Sequence, residues 1–99
     1  MTFVFDIDGT IIYCNYTGAQ YLLIRENTDL IKIINSRYEK GDTIILQTAR
    51  HWNYLNATIE QLTFIGLKYH TLVMGKPVAD LYIDDRGINP EEFIKLFKN

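Results

Sequence analysis

Two aspartates near the start of the chain are the residues best placed to do chemistry. Asp6 and Asp8 follow the apolar run 3–5, and Gly9 and Thr10 come next. An apolar run that ends in a turn signal is typical of a buried strand, and carboxylates two residues apart on a strand share a face. Two such anions repel unless a cation lies nearby, while Gly9 permits a turn whose backbone N–H groups can approach an anion. The stretch predicts a site for a hard cation and a phosphate together.

Further polar residues follow three later apolar runs, which predict the second, third and fourth strands of the chain. The first run, 43–48, ends in Thr48, which Ala49 and Arg50 follow directly. The second run, 71–74, precedes Lys76. The third run, 80–83, precedes the adjacent pair Asp84 and Asp85.

The pattern between these runs predicts the elements that position them. Apolar residues recur at helical spacing over 28–40 and 53–65, and Asn89 followed by Pro90 predicts the start of a last helix. Residues 11–18 predict a short hairpin-like excursion, and 20–25 can be extended or irregular. Strands that alternate with helices predict an α/β fold with a parallel sheet and helices on both faces. Ligands bind beyond the carboxyl ends of such strands, so we expect all the polar clusters at one edge.

These residue types fit the transfer of a phosphoryl group. Asp6 can act as the nucleophile and form an aspartyl-phosphate, and Asp8 can protonate the leaving oxygen and later deprotonate water. Thr48 and Lys76 can bind phosphoryl oxygens. Mg²⁺ takes oxygen ligands, which an Asp6 oxygen, the Asp8 carbonyl and a carboxylate of the 84–85 pair can supply.

At this point the chain resembles the haloacid dehalogenase superfamily of phosphatases with an aspartate nucleophile. The stretch 6–10, DIDGT, is similar to the first motif of that superfamily, and Thr48, Lys76 and the 84–85 pair resemble the second, third and fourth. The resemblance implies a three-layer, Rossmann-like sheet and a Mg²⁺-dependent phosphomonoester hydrolase. It also implies that the substrate phosphate contacts four residues of the first and second motifs: Gly9, Thr10, Ala49 and Arg50.

The resemblance implies two finer points about the site. In the usual register of the fourth motif, Asp85 binds the metal and Asp84 pairs with Lys76. The spacing between motifs holds no cap domain, so the site is open or closed by a second copy of the chain. A narrower similarity, in 48–52 and 75–86, is to small phosphatases of bacterial capsule and cell-surface polysaccharide clusters, which implies a sugar phosphate or other small phosphorylated metabolite as substrate.

Length and composition restrict the class of protein. The 99 residues, 47% hydrophobic and 22% charged, predict one globular domain over 1–99. The net charge of -2 disfavours a nucleic-acid groove or a basic membrane patch. Cys14 is the one cysteine, so no internal disulfide can form; with no signal peptide or membrane span in the sequence, we expect a cytoplasmic protein.

Several alternatives stay open on the sequence alone. A phosphatase acting on nucleic-acid ends is a variant of the main interpretation. A phospho-acceptor receiver module would also use acids, Mg²⁺, threonine and lysine, but it places its aspartate after the third strand, where this chain has Met74. A non-catalytic scaffold could retain the same motifs. Arg50 contacts the substrate or forms a surface ion pair with a glutamate, Thr48 could cap the next helix, and Trp52 packs or stacks on a sugar.

Overall fold

The computed structural model describes residues 1–98, and its centre is a three-stranded parallel sheet. The strands are β1 (Thr2–Asp6), β4 (Thr43–Gln47) and β5 (Thr71–Val73), in the order β1-β4-β5. Phe3 lies opposite Ile44 across the first pair of strands. All three strands run in the same direction, so their carboxyl ends meet at one edge, as predicted.

A second, two-stranded sheet leaves the main sheet just after β1. Strands β2 (Ile12–Tyr16) and β3 (Tyr21–Glu26) form an antiparallel hairpin with a register shift between Tyr13 and Cys14. The turn includes Gly18 at φ 89°, a conformation that glycine adopts without strain. The predicted excursion is confirmed, and the segment after it is extended.

Three helices complete the chain close to their predicted bounds. Helix α1 (Thr28–Glu39) has Asn27 as its N-cap, whose side chain accepts a hydrogen bond from the Leu30 backbone N–H. A 3₁₀ turn (Trp52–Tyr54) leads into α2 (Leu55–Phe64). Helix α3 (Pro90–Phe97) begins with proline after the predicted Asn89 cap.

Burial alternates along the sheet, so only one face of it is covered. The side chains of Phe5, Ile44 and Leu46 are buried, whereas Val4 and Val73 on the opposite face remain 53% and 43% exposed. The connections from β1 to β4 and from β4 to β5 step in the same direction along the sheet. With the usual right-handed crossover, such connections place their helices on the same face of the sheet. The structure is therefore a mixed α/β arrangement, and a three-layer sheet with helices on both faces is not confirmed.

The predicted fourth strand over 80–83 is wrong. These residues are irregular, and Leu81 and Ile83 are 75% and 90% exposed. Local features on either side of the segment disfavour its pairing in the sheet. Pro77 supplies no N–H to a ladder, and the Asp84 side chain accepts hydrogen bonds from two backbone N–H groups that follow it.

The missing strand leaves one edge of β1 beside a cavity of about 740 Å³. Asp6 and Asp84 both line this cavity. Helix α3 supports the same strand from the covered face, because the Phe93 ring meets the rings of Phe3 and Phe5 edge-on at 5.4 and 5.1 Å. Within residues 1–98, no helix has the length and apolar character needed to cross a membrane.

Candidate active site

The carboxyl ends of the three parallel strands bring predicted residues of three separate segments to one place. Strand β1 ends at Asp6, β4 leads directly into Thr48, and the loop after β5 carries Lys76. Backbone hydrogen bonds hold this loop against the end of β4: the Lys76 N–H donates to the Thr48 carbonyl at 2.8 Å, and the Gly75 N–H donates to the Arg50 carbonyl at 2.9 Å. The main chain thus fixes where the Lys76 side chain starts.

Lys76 and Asp6 form the first ion pair of the site. The Lys76 Nζ donates to both Asp6 carboxylate oxygens, at 2.7 and 2.9 Å. The lysine side chain is 14% exposed, while the Asp6 side chain is 42% exposed and thus reachable from solvent. The Tyr82 ring lies 3.8 Å from the same Nζ, so it covers the ammonium on another side. The resulting carboxylate is accessible and lies next to a cation.

Asp8 forms the second ion pair, with Arg50. The Arg50 Nη2 donates to Asp8 Oδ1 at 2.8 Å and its Nε donates to Asp8 Oδ2 at 3.0 Å. The Thr48 hydroxyl donates to the same Oδ2 at 3.3 Å and also accepts the Arg50 backbone N–H at 3.1 Å. Asp6 and Asp8 therefore each pair with a different cation, and these cations offset the repulsion between the two carboxylates.

Arg50 is buried rather than at the surface. Its side chain is 1% exposed and its partner is an aspartate, so it is not a surface ion pair with a glutamate. Burial opposes the charged guanidinium, but the hydrogen bonds and charge of Asp8 outweigh that cost and raise the pKa of Arg50 above its usual value. Arg50 therefore stays protonated inside the protein.

The backbone amides after Asp8 are engaged within the turn. The Gly9 N–H donates to the Ile12 carbonyl at 2.9 Å, and the Thr10 N–H donates to the Ile7 carbonyl at 3.2 Å. Gly9 has φ 77°, so the turn requires the freedom that glycine provides. Ala49 is exposed between Thr48 and Arg50. A phosphate bound by the Gly9 and Thr10 amides would have to replace these internal hydrogen bonds.

The two acidic residues of the fourth motif occupy different surroundings. Backbone hydrogen bonds from Arg86 and Gly87 are the main cause that lowers the pKa of Asp84, and the charge of Lys76 adds to it. Asp85 is exposed, with its carboxylate 3.9 Å from the Arg86 Nε. Lys76 pairs with Asp6 rather than with Asp84. Asp84, not Asp85, lines the cavity that Asp6 reaches.

Oxygen donors suited to Mg²⁺ are present, but they are not gathered into a complete carboxylate cluster. No three His, Cys, Asp or Glu side chains within residues 1–98 converge as a metal-binding group. Asp6 and Asp84 share a cavity, and the Asp8 carboxylate is held by Arg50. A hard cation that keeps several waters needs few protein ligands. The Asp6 and Asp84 carboxylates and the Asp8 carbonyl fit such an ion by their chemistry.

The β2–β3 hairpin and α2 supply contacts that the motifs did not predict. Thr58 and Gln61 accept hydrogen bonds from the Arg50 Nη1, at 3.0 and 2.8 Å. The Gln61 amide also donates to the carbonyl of Tyr21, whose ring lies 4.1 Å from the Arg50 guanidinium carbon. A signal was present in the sequence, because Thr58 is a polar residue between Leu55 and Leu62 on the apolar stripe of α2.

Comparison with known proteins identifies a shared fold and no family. No protein-family model matches the chain, and no curated protein matches it. A crystal structure of a structural-genomics target from Vibrio cholerae is similar, with a TM-score of 0.70 and 24% identity over 94% of this chain and 86% of that one. A candidate 3-deoxy-D-manno-octulosonate 8-phosphate phosphatase from Vibrio cholerae gives a TM-score of 0.47 and 16% identity over 76% of this chain and 40% of that one, which is too low to bear on fold or activity. The first structure shows that this α/β fold occurs elsewhere.

Proposed function

We propose that this chain is a phosphomonoester hydrolase that acts through an aspartyl-phosphate on Asp6, like the haloacid dehalogenase phosphatases whose motifs it resembles. The observation that carries the proposal is a pair of hydrogen-bonded ion pairs at one sheet edge. Asp6 lies against Lys76, while Asp8 lies against Arg50 and Thr48. An exposed carboxylate beside a cation suits a nucleophile for an anionic substrate, because the cation offsets the repulsion between the two.

The proposed reaction has two displacements at phosphorus. An Asp6 carboxylate oxygen attacks and the bond between phosphorus and the leaving oxygen breaks. Asp8 enters this step as its neutral carboxylic acid, gives its proton to the leaving oxygen and becomes the carboxylate. Water then attacks the phosphoryl group, Asp8 takes the proton from this water, and Asp6 leaves as a carboxylate with release of inorganic phosphate. Lys76 can move from Asp6 to the phosphoryl oxygens as their negative charge arrives.

The proposed cofactor is Mg²⁺, held by Asp6, the Asp8 carbonyl and Asp84. When bound, it would neutralise phosphate charge that Lys76 alone does not balance. The proposed substrate is a sugar phosphate or other small phosphorylated metabolite, as the similarity to polysaccharide-cluster phosphatases suggests. Of the proposed site residues, Asp6, Thr10 and Asp84 line the cavity of about 740 Å³ beside β1. The open side could also be closed by a second copy of the chain.

A panel of phosphomonoesters tests the proposal. We would assay phosphate release from an aryl phosphate, a hexose phosphate, glycerol phosphate and a phosphorylated oligonucleotide end, each with Mg²⁺ and with a chelator. The expected result is Mg²⁺-dependent turnover that Asp6→Asn abolishes and that exposed Asp80→Asn retains. A preference for the oligonucleotide would mean that the substrate is a phosphorylated nucleic-acid end and not a small metabolite. No release from any substrate, or equal release by folded Asp6→Asn, would contradict the hydrolase proposal.

A further inference from the structure

The Arg50 side chain is the most constrained charged group near the proposed active site. It begins directly after β4, where the Thr48 hydroxyl accepts its backbone N–H and its own carbonyl accepts the Gly75 N–H. The side chain then runs inward and is 1% exposed. Main-chain contacts therefore fix one end of the side chain, and the protein interior surrounds the other.

Every N–H group of the Arg50 guanidinium has a partner inside the chain. Nε and one hydrogen of Nη2 bind Asp8 at 3.0 and 2.8 Å, and Nη1 binds Thr58 and Gln61. The remaining Nη2 hydrogen points to the Cys14 sulfur at 3.4 Å. A guanidinium has no further donors, so binding a substrate phosphate would require it to leave partners it already has. The buried position and full set of partners argue against direct substrate contact.

The fork of Arg50 instead determines where the Asp8 carboxylate lies. Two N–H groups of one planar guanidinium hold the two Asp8 oxygens, which fixes both the direction and the plane of the carboxylate. Asp8 itself remains 37% exposed, so its free lone pairs can face a ligand. An ammonium at this position could not fix the plane, because it acts as a point charge.

We propose that Arg50 is a positioning residue that aims the Asp8 carboxylate at the leaving oxygen, and that it does not bind the phosphate. The inference rests on the proposed hydrolase function and adds a role for Arg50 within it. Arg50 is itself held by Thr58 and Gln61 of α2 and by the Tyr21 ring of the hairpin. The orientation of Asp8 therefore depends on α2 and the hairpin together.

A double-mutant cycle on two kinds of substrate tests the inference. Arg50→Lys, Asp8→Asn and the double variant are compared on an aryl phosphate, whose leaving group needs little protonation, and an alkyl phosphate, whose leaving group needs a proton. Arg50→Lys should lower kcat for the alkyl phosphate on the order of 10²-fold, with a smaller loss for the aryl phosphate and little change in KM. The double variant should lose no more than Asp8→Asn alone.

Two outcomes would overturn the inference. Losses that multiply in the double variant would mean that Arg50 acts on the phosphate independently of Asp8. Equal losses for aryl and alkyl phosphates would mean that it does not act through proton transfer. The exposed Arg25→Lys serves as the matched control and should leave both rates unchanged, because the Arg25 side chain is exposed on β3 and lies over the Tyr13 ring.

A milder variant keeps the test decisive if Arg50→Lys does not fold. Gln61→Met removes one neutral acceptor of Nη1, together with the hydrogen bond to the Tyr21 carbonyl, and leaves the ion pair with Asp8 in place. It should show a smaller loss with the same bias against the alkyl phosphate, and an unbiased loss would again overturn the inference.

A readout independent of turnover separates this inference from the hydrolase proposal. The Arg50 Nε–H should give a slowly exchanging NMR signal in the wild-type chain that Asp8→Asn removes. Exchange as fast as that of Arg86 would show that the pair does not form, which overturns the positioning role. Turnover that persists in Asp6→Asn would instead overturn the hydrolase mechanism, whatever the Arg50 signal shows.

Discussion

Replacing Phe93 by alanine should detach helix α3 from the strand that ends in Asp6. Phe93 is 5% exposed and packs edge-on against Phe3 and Phe5. Loss of a buried phenylalanine side chain costs about 3–5 kcal/mol in protein cores. Phe93 also borders the cavity of about 740 Å³, so water can occupy the space it leaves and we expect the lower end of that range, about 3 kcal/mol.

Thermal and urea denaturation measure this loss. For a domain of this size, about 3 kcal/mol corresponds to a fall in Tm of roughly 10–25 °C. Leu96→Ala in the same helix is the matched control, because Leu96 is 71% exposed and such surface changes stay within about 0.5 kcal/mol. Equal Tm values for Phe93→Ala and Leu96→Ala would refute the packing of α3 on β1.

Two further predictions concern charged groups. Lys76→Met should lower kcat/KM on the order of 10²-fold, because it removes the cation beside the proposed nucleophile. The control Lys68→Met, at an exposed lysine, should leave kcat/KM unchanged. Equal kcat/KM values for the two variants would contradict the role of Lys76. Hydrogen bonds from the Met1 amino group and from Arg37, the former the larger cause, lower the pKa of Asp42. The Asp42 carboxylate therefore stabilises the fold above the ordinary aspartate pKa of about 4, and this contribution disappears as the pH falls through the lowered folded value. Asp42→Asn should lower the free energy of unfolding at neutral pH and flatten its decline in acid; parallel pH curves for the two proteins would refute this linkage.

The positions of the polar clusters could be predicted because they follow from strand direction. Once 3–5, 43–48 and 71–74 are strands joined by helices, their carboxyl ends must meet, and Asp6, Thr48 and Lys76 arrive at one edge. Helical spacing and the start signal at Asn89 and Pro90 likewise predicted the helix bounds closely. These are local signals, and the tertiary structure does not override them here.

Two features could not be read from the sequence, because each depends on non-local contacts. Residues 80–83 have the composition of a strand, but they are irregular in the structure, and the Asp84 side chain that follows them binds backbone N–H groups of its own turn. For Arg50 the sequence predicted a substrate contact or a surface ion pair with a glutamate, and it gave no sign of the buried pair with Asp8. The burial of Arg50 depends on Thr58, in a helix that begins later in the chain, and on acceptors in the hairpin.

Direct detection of a phosphate on Asp6 is the measurement closest to the central claim. The wild-type protein would be mixed with a substrate that it hydrolyses and quenched in acid within one turnover. The protein would then be reduced with borohydride, which converts an aspartyl-phosphate into homoserine. Mass spectrometry should find homoserine at position 6, with Asp8 unmodified. Turnover with no modification at Asp6, or modification at Asp8 instead, would contradict that claim.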